Sequence, residues 1–298
     1  MTARAWGALA TLYVVWGSTY LGIMLAIRTM PPFLMSSVRF LLAGAFLYAL
    51  SPRRRVSLRG WAAAFVAGGA LLTIGNGGIT WAEQRVDSGV AALLVATMPL
   101  WLALFDRVVF GRRLSAVGWT GLLVGLGGVA LLVSPGGGGT DLLGGLVCVG
   151  CAMSWAAGTL YARHAPLPSQ PALASGTQML AGGVLLGVAG LAAGEGGAVH
   201  LSQISTESLL AVAYLVVVGS IVAFSAFHWL LRNAPTHIVS TYAYVNPVVA
   251  VLLGAAFLGE PMTLRTLIAG LAIVASVVLI VGARLPRFAP AVPARSAA

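Results

Sequence analysis

Ser240 to Gly254 reads S-T-Y-A-Y-V-N-P-V-V-A-V-L-L-G, an apolar stretch with an Asn-Pro pair at its centre. A buried helix accepts neither residue without compensation. Pro247 brings no N–H, and its ring displaces the carbonyl of Ala243, leaving that oxygen unpaired beside the Asn246 amide. In hydrocarbon an unpaired backbone group costs several kcal/mol unless protein or water meets it, so this helix must face an interior at that depth.

The same disturbance occurs at Met98-Pro99. The interval from Pro99 to Pro247 is also the interval from Trp81 to Trp229 and from Gly111 to Gly259. A second regular interval links Trp16 to Trp155, Pro32 to Pro171 and Arg39 to Gln178. The sequence reads as one unit written twice.

Hydrophobic residues make up 59% of the 298 and charged residues 8%, with a mean hydropathy of +0.96. One soluble core of this length could not hide so much apolar surface. Cutting where charge, Pro and Gly collect leaves ten apolar segments: 6–27, 33–51, 61–82, 88–105, 115–133, 142–162, 172–193, 208–231, 237–257 and 264–283. Each is near the roughly 20 residues that cross hydrocarbon as a helix. The first follows a short stretch with Arg4, yet it is too long for the apolar region of a signal peptide and no small-residue cleavage site follows. It is expected to be a retained helix.

Segments one and two repeat as six and seven, and three and four repeat as eight and nine. Gly121-Leu122-Leu123-Val124 of the fifth corresponds to Gly270-Leu271-Ala272-Ile273 of the tenth. Five is odd, so the second copy must enter the bilayer from the opposite side. The predicted fold is an all-α integral membrane protein of ten transmembrane helices, two inverted five-helix repeats around a central cavity that can open to either side. The repeats fall at 1–135 and 142–284, with a Gly-rich linker at 136–141 and a cytoplasmic tail at 285–298.

The net charge of +10 raises nucleic acid as a partner, and the positions of the 17 basic residues, all Arg, argue against it. With the N-terminus in the cytoplasm, Arg28, Arg85 and Arg265 lie outside, Arg39 lies within a helix, and all the others lie inside. That is the positive-inside bias of a multi-pass membrane protein with both termini cytoplasmic. Cys148 and Cys151 lack the further ligands of a metal site and the soluble context of a redox motif, so they read as packing residues. No cofactor and no metal is indicated.

The candidate site follows from polar and aromatic residues away from helix ends. Trp16, Thr19 and Tyr20 share a face of the first helix, and Trp155 and Thr159 share one on the sixth. Asn76 and Thr80 lie in the glycine-rich third helix, where interhelical packing and cavity lining are equal alternatives. Trp101 stands one turn beyond Thr97 at the Pro99 kink, and Tyr244 and Asn246 precede Pro247. Pro99 and Pro247 are the gating candidates. Arg39 is shallow enough to snorkel or to pair with Glu83, and it belongs with Glu83 and His228 to a candidate polar or coupling network. All seven acids, Glu83 and Asp106 included, are expected at helix ends or in loops, where Asp87 and Asp141 can cap the following helices. No buried carboxylate relay is visible. A coupled proton would have to use His228, Glu83 or Glu260.

Trp16-Gly17-Ser18-Thr19-Tyr20, Val38-Arg39-Phe40, Gly75-Asn76-Gly77, Ser88-Gly89-Val90-Ala91-Ala92, Ser154-Trp155-Ala156 and Ser240 to Pro247 together resemble the EamA-type members of the drug/metabolite transporter superfamily, closest to their YedA-type branch. The resemblance spans nearly all ten helices. It implies an inner-membrane exporter of small metabolites, often amino acids or related compounds. It also implies a wall formed by Trp16, Asn76, Thr80, Trp101, Trp155, Tyr244 and Asn246.

From the residues themselves, the lining suits a small, partly apolar substrate, and scarce buried charge argues against strongly anionic cargo. No G-x-x-x-x-G-K-[ST] is present, so a gradient must supply the energy. A passive facilitator or importer on the same scaffold is the alternative. More remote is an intramembrane hydrolase using Ser225 or Ser240 with His228 or His237. The G-x-x-x-G faces of the fifth and seventh helices do not by themselves prove a dimer.

Overall fold

The computed structural model describes residues 2–51, 55–111, 115–133, 141–234 and 241–283, without the side chains of residues 228, 231, 232, 243, 244 and 281. Arg53, Arg54, Arg112, Arg113, His237, Ser240, most of the linker and the tail lie outside the described residues. So do the side chains of Tyr244 and His228.

The described chain is helical: α1 Ala3–Ile27, α2 Pro32–Leu50, α3 Leu58–Ala82, α4 Ser88–Phe110, α5 Ala116–Val133, α6 Leu142–Ala162, α7 Pro171–Ala192, α8 206–233, α9 242–258 and α10 Leu264–Ala283. The first eight are long and apolar enough to cross a membrane, and Val245–Leu258 and Leu264–Ile280 are shorter apolar helices. Their outer faces match that medium: Val14, Leu42, Val66, Val184, Leu210 and Leu271 are exposed, a surface that a water-soluble monomer would not carry.

Helix ends follow local chemistry. Thr2, Ser57, Asp141 and Ser205 cap the starts of α1, α3, α6 and α8 through their side-chain oxygens, and Pro32 and Pro171 begin α2 and α7. Gly111 and Gly259 end α4 and α9 in the left-handed region, with φ of 64° and 68°. Only glycine enters that region without strain. Asp87 departs from expectation because it makes no side-chain cap bond. The Glu260 carboxylate takes its place, accepting from Ser88 N at 2.7 Å and Gly89 N at 3.0 Å. Glu195 does the same for α2, accepting from Phe33 N at 3.1 Å and Leu34 N at 2.8 Å.

Two helix pairs form the flanks, both antiparallel. On α2 and α7, Leu34 lies by Gly190, Leu41 by Gly183 and Tyr48 by Gly176. On α5 and α10, Gly121 lies by Ile280, Gly125 by Ser276 and Gly128 by Ile273. The glycine faces of α5 and α7 are thus used within the chain, where small residues let backbones approach. Between the flanks, α1 packs on α8 and α9, and α6 packs on α3 and α4. One apolar core centres on Ile23, Phe40, Leu72, Met179 and Leu215, and a second on Val90, Leu94, Leu132, Cys148 and Ile273.

Four helices are irregular inside. α3 carries a π-helical stretch at Gly69–Gly77, α8 one at Leu215–Val222 and α9 one at Gly254–Leu258. α4 breaks after Val95 and restarts at Met98, with Pro99 in its first turn. Pro247 instead sits inside the uninterrupted helix Tyr242–Leu253. The two Asn/Met-Pro sites therefore differ, one a break and the other an embedded proline.

Candidate substrate site

Helical π stretches widen the turn and offer carbonyls to neighbours. On α3 those carbonyls meet α6: Ser154 Oγ donates to Ala70 O at 2.8 Å and Cys151 Sγ to Ile74 O at 3.2 Å. Both cysteines are free and buried. The Trp155 ring lies against Gly75, where an added Cβ would come 3.0 Å from its Cε3. Asn76 follows directly, and its Oδ1 is buried without a hydrogen-bond partner.

A similar arrangement joins α1, α8 and α9. Trp16 is boxed by Phe224, Phe227 and Tyr242, with ring centroids at 5.7, 5.3 and 4.9 Å. Gly17 lets α1 close on α9: an added Cβ would lie 2.6 Å from Val249 Cβ and 3.0 Å from Asn246 O. The Asn246 Oδ1 is also buried and unpartnered. Each group therefore brings aromatic surface to a helix that carries an amide oxygen without a hydrogen-bond partner. Tyr20 stands within electrostatic range of Glu83, Cys148, Cys151 and Tyr242.

Other candidates make bonds of their own. Thr19 Oγ1 donates to Trp16 O at 2.6 Å within its helix. Thr80 is 0% exposed, donates to Asn76 O and accepts from Ser36 Oγ of α2, an interhelical packing role. Trp101 Nε1 donates to Thr97 Oγ1 at 3.2 Å across the α4 break. Thr159 is partly buried on α6. For the hydrolase alternative, Ser225 Oγ donates to Ile221 O of its own helix.

Two expectations about charge are corrected. Arg39 neither reaches the surface nor pairs with Glu83: it is 4% exposed, its Nε donates to Ser220 Oγ at 3.1 Å, and its Nη1 has no partner. The π stretch of α8 covers it and supplies Ser220. Buried acid is present as well, since Glu83 is 1% and Asp106 4% exposed. A helix end is not a bundle surface when neighbouring helices close over it. Sequence reading missed Phe224, Phe227, Tyr242 and Ser220, although Tyr242 stands four residues before Asn246.

Two recesses open at the end of the bundle where α1 and α3 finish. One, of about 540 Å³, is bordered by Arg28, Phe33, Trp81, Gln84, Glu195 and Gln203. The other, of about 460 Å³, is bordered by Arg28, Glu83, Gln84, Asp87, Leu258 and Glu260. The aromatic candidates border neither; Glu83 borders the second.

In that recess burial, then the Glu260 carboxylate, push the Asp87 carboxyl up to about 6 from an ordinary 3.8. A folded-state pKa above the unfolded one favours the protonated folded form. The stability from this group is therefore full below pH 3.8 and is lost as the pH rises through about 6. Asp87→Asn is expected to raise the melting temperature at pH 7 and leave it unchanged near pH 4. A lower melting temperature at pH 7 would instead make Asp87 a needed helix cap.

A protein-family model, described as the EamA-like transporter family, matches residues 5–134 and again residues 142–282. The chain belongs to the EamA-like transporter family. It is 40% identical, over 92% of its length and 89% of the relative's, to a protein of Escherichia coli strain K12 described as "Uncharacterized inner membrane transporter YedA". A "Probable amino-acid metabolite efflux pump" of Salmonella typhimurium is 25% identical, over 88% of this chain and 89% of that one. A solved crystal structure aligns at a TM-score of 0.62 and 22% identity, covering 94% of this chain and 98% of the other, which shows a shared fold. This EamA-family chain is a membrane transporter, and both sets of relatives point away from an enzyme.

Proposed function

We propose that this EamA-family protein exports small, partly apolar metabolites, amino acids or related compounds among them, by alternating access across the inner membrane. The substrate binds between two inverted five-helix repeats, with both chain ends in the cytoplasm. One observation carries this reading: Asn76 Oδ1 and Asn246 Oδ1 are both buried and unpartnered, on the two helices that meet the Trp155 and Trp16 rings. A buried polar atom without a partner costs about 1–3 kcal/mol, so such atoms persist where water or a ligand meets them, and a substrate is the partner this reading assigns.

The two-repeat organisation has support of its own. The family model matches the chain twice. The equivalent helices α2 and α7 run antiparallel, as do α5 and α10. Exchanging each of the first five helices with its counterpart also leaves the main packing pairs unchanged: α1 on α8 becomes α6 on α3, and α1 on α9 becomes α6 on α4. The broken α4 and the proline-bearing α9 then become the two gates. The names of the relatives support the inner membrane, and those of the efflux pumps support amino-acid metabolites as substrates.

Comparing the metabolites secreted by cells with and without the protein tests this reading. A small set of compounds enriched outside only when the protein is present is expected, and identical profiles would contradict it. In liposomes, export of an enriched compound that collapses with the proton gradient identifies antiport. Exchange without any gradient identifies a facilitator.

A further inference from the structure

Four glutamates gather at the end of the bundle where α1 and α3 finish: Glu207 is exposed and paired with Arg28 at 3.1 Å, and of the other three the protein treats one differently. Glu195 and Glu260 each have both oxygens bonded to backbone N–H groups at a helix start. Those bonds, with the partial positive charge of the helix end, fix each carboxylate in place. Glu83 is more deeply buried than a capping acid would be, at 1% exposure, and neither of its oxygens has a hydrogen-bond partner. Nor is it neutralised by an ion pair, although Arg39, itself buried with Nη1 unpartnered, lies within electrostatic range.

We propose that Glu83 is a reversible proton-binding site of this transporter, reached through the recess that Arg28, Asp87 and Glu260 border, with Arg39 as its buried counter-charge. The ligand is a single proton. A hydronium ion in the recess gives its proton to a Glu83 carboxylate oxygen, one O–H bond forms, and water is left behind. Ionised Glu83 balances the Arg39 charge, whereas protonated Glu83 leaves that cation uncompensated and free to attract an anionic group. Proton occupancy thus changes the charge of the bundle interior, which is what coupling to a gradient requires.

The groups that face Glu83 act in opposing directions. Burial pushes its carboxyl well above the ordinary carboxylate range, the Glu260 carboxylate adds to this, and the Arg39 guanidinium opposes it. Tyr20 of α1 and Cys148 of α6 complete its electrostatic surroundings, with Cys151 beside Cys148 and Asp87 on the same connection. The site's use as a coupling site rests on the transporter reading; its titration does not.

Infrared difference spectroscopy of the protein in lipid, taken as the pH is stepped, reads the proton directly. On acidification of the wild type a Glu83 carboxylic-acid C=O component is expected beside that of Asp87; it is expected to be lost in Glu83→Gln and to survive in Asp87→Asn, which loses only the Asp87 component. In Glu260→Gln the Glu83 component is expected with its midpoint moved to lower pH, because a neighbouring negative charge is gone. Identical difference spectra for wild type and Glu83→Gln would overturn the site. Should Glu83→Gln fail to reconstitute, an unmoved midpoint in Glu260→Gln would overturn it instead. No transport is measured, so a missing band leaves the exporter reading standing.

Discussion

Trp155→Ala and Asn246→Ala, each alone, are expected to abolish export while the protein still folds and inserts. The ring of Trp155 lies on Gly75 at the π stretch of α3, one residue from the unpartnered Asn76 oxygen. Asn246 carries the second such oxygen on α9, the helix whose Tyr242 ring meets Trp16. If the substrate meets these groups, removing either leaves a polar or aromatic contact unmade in a dry site. That loss corresponds to a fall in transport rate of at least about tenfold. Asn246→Ala removes an oxygen that has no partner within the chain, so it has no folding reason to destabilise. Unchanged export by both variants, measured on a compound from the secreted-metabolite comparison, would remove the proposed site.

The second large effect is on folding. α2 and α7 cross with backbone against backbone: a Cβ added at Gly44 would lie 2.9 Å from Leu180 N and 3.0 Å from Gly176 O. Neither atom can give way without moving a helix, and overpacking of this kind costs about 1–3 kcal/mol or more. Gly44→Leu is therefore expected to lower the melting temperature sharply or to leave no monodisperse protein after extraction. Gly150→Leu is the control, because nothing lies within 4 Å of its added Cβ. Equal melting temperatures for the two variants would contradict the crossing.

Much of the membrane architecture was legible because apolar length and the repeat intervals are properties of the chain alone. The shared interval from Gly111 to Gly259 turns out to join two left-handed helix ends. Side-chain partners across helices were less legible. Asp87 looked like a cap by its place before α4, yet Glu260, distant in sequence, holds that helix start. Arg39 and Glu83 looked shallow because depth was counted along a helix, and burial depends on which neighbours cover that level. Trp16 was legible as a functional candidate, but its box of Phe224, Phe227 and Tyr242 depends on how α8 and α9 pack.

The central claim is that equivalent points in the two halves lie on opposite sides of the membrane. Arg55 follows α2 and Ser202 follows α7, both exposed, and buried Cys148 and Cys151 leave the wild-type background silent to an impermeant thiol reagent. The account predicts that Ser202→Cys is labelled from outside intact cells and that Arg55→Cys is labelled only after the cytoplasmic face is opened. Labelling of both from the same side would contradict it.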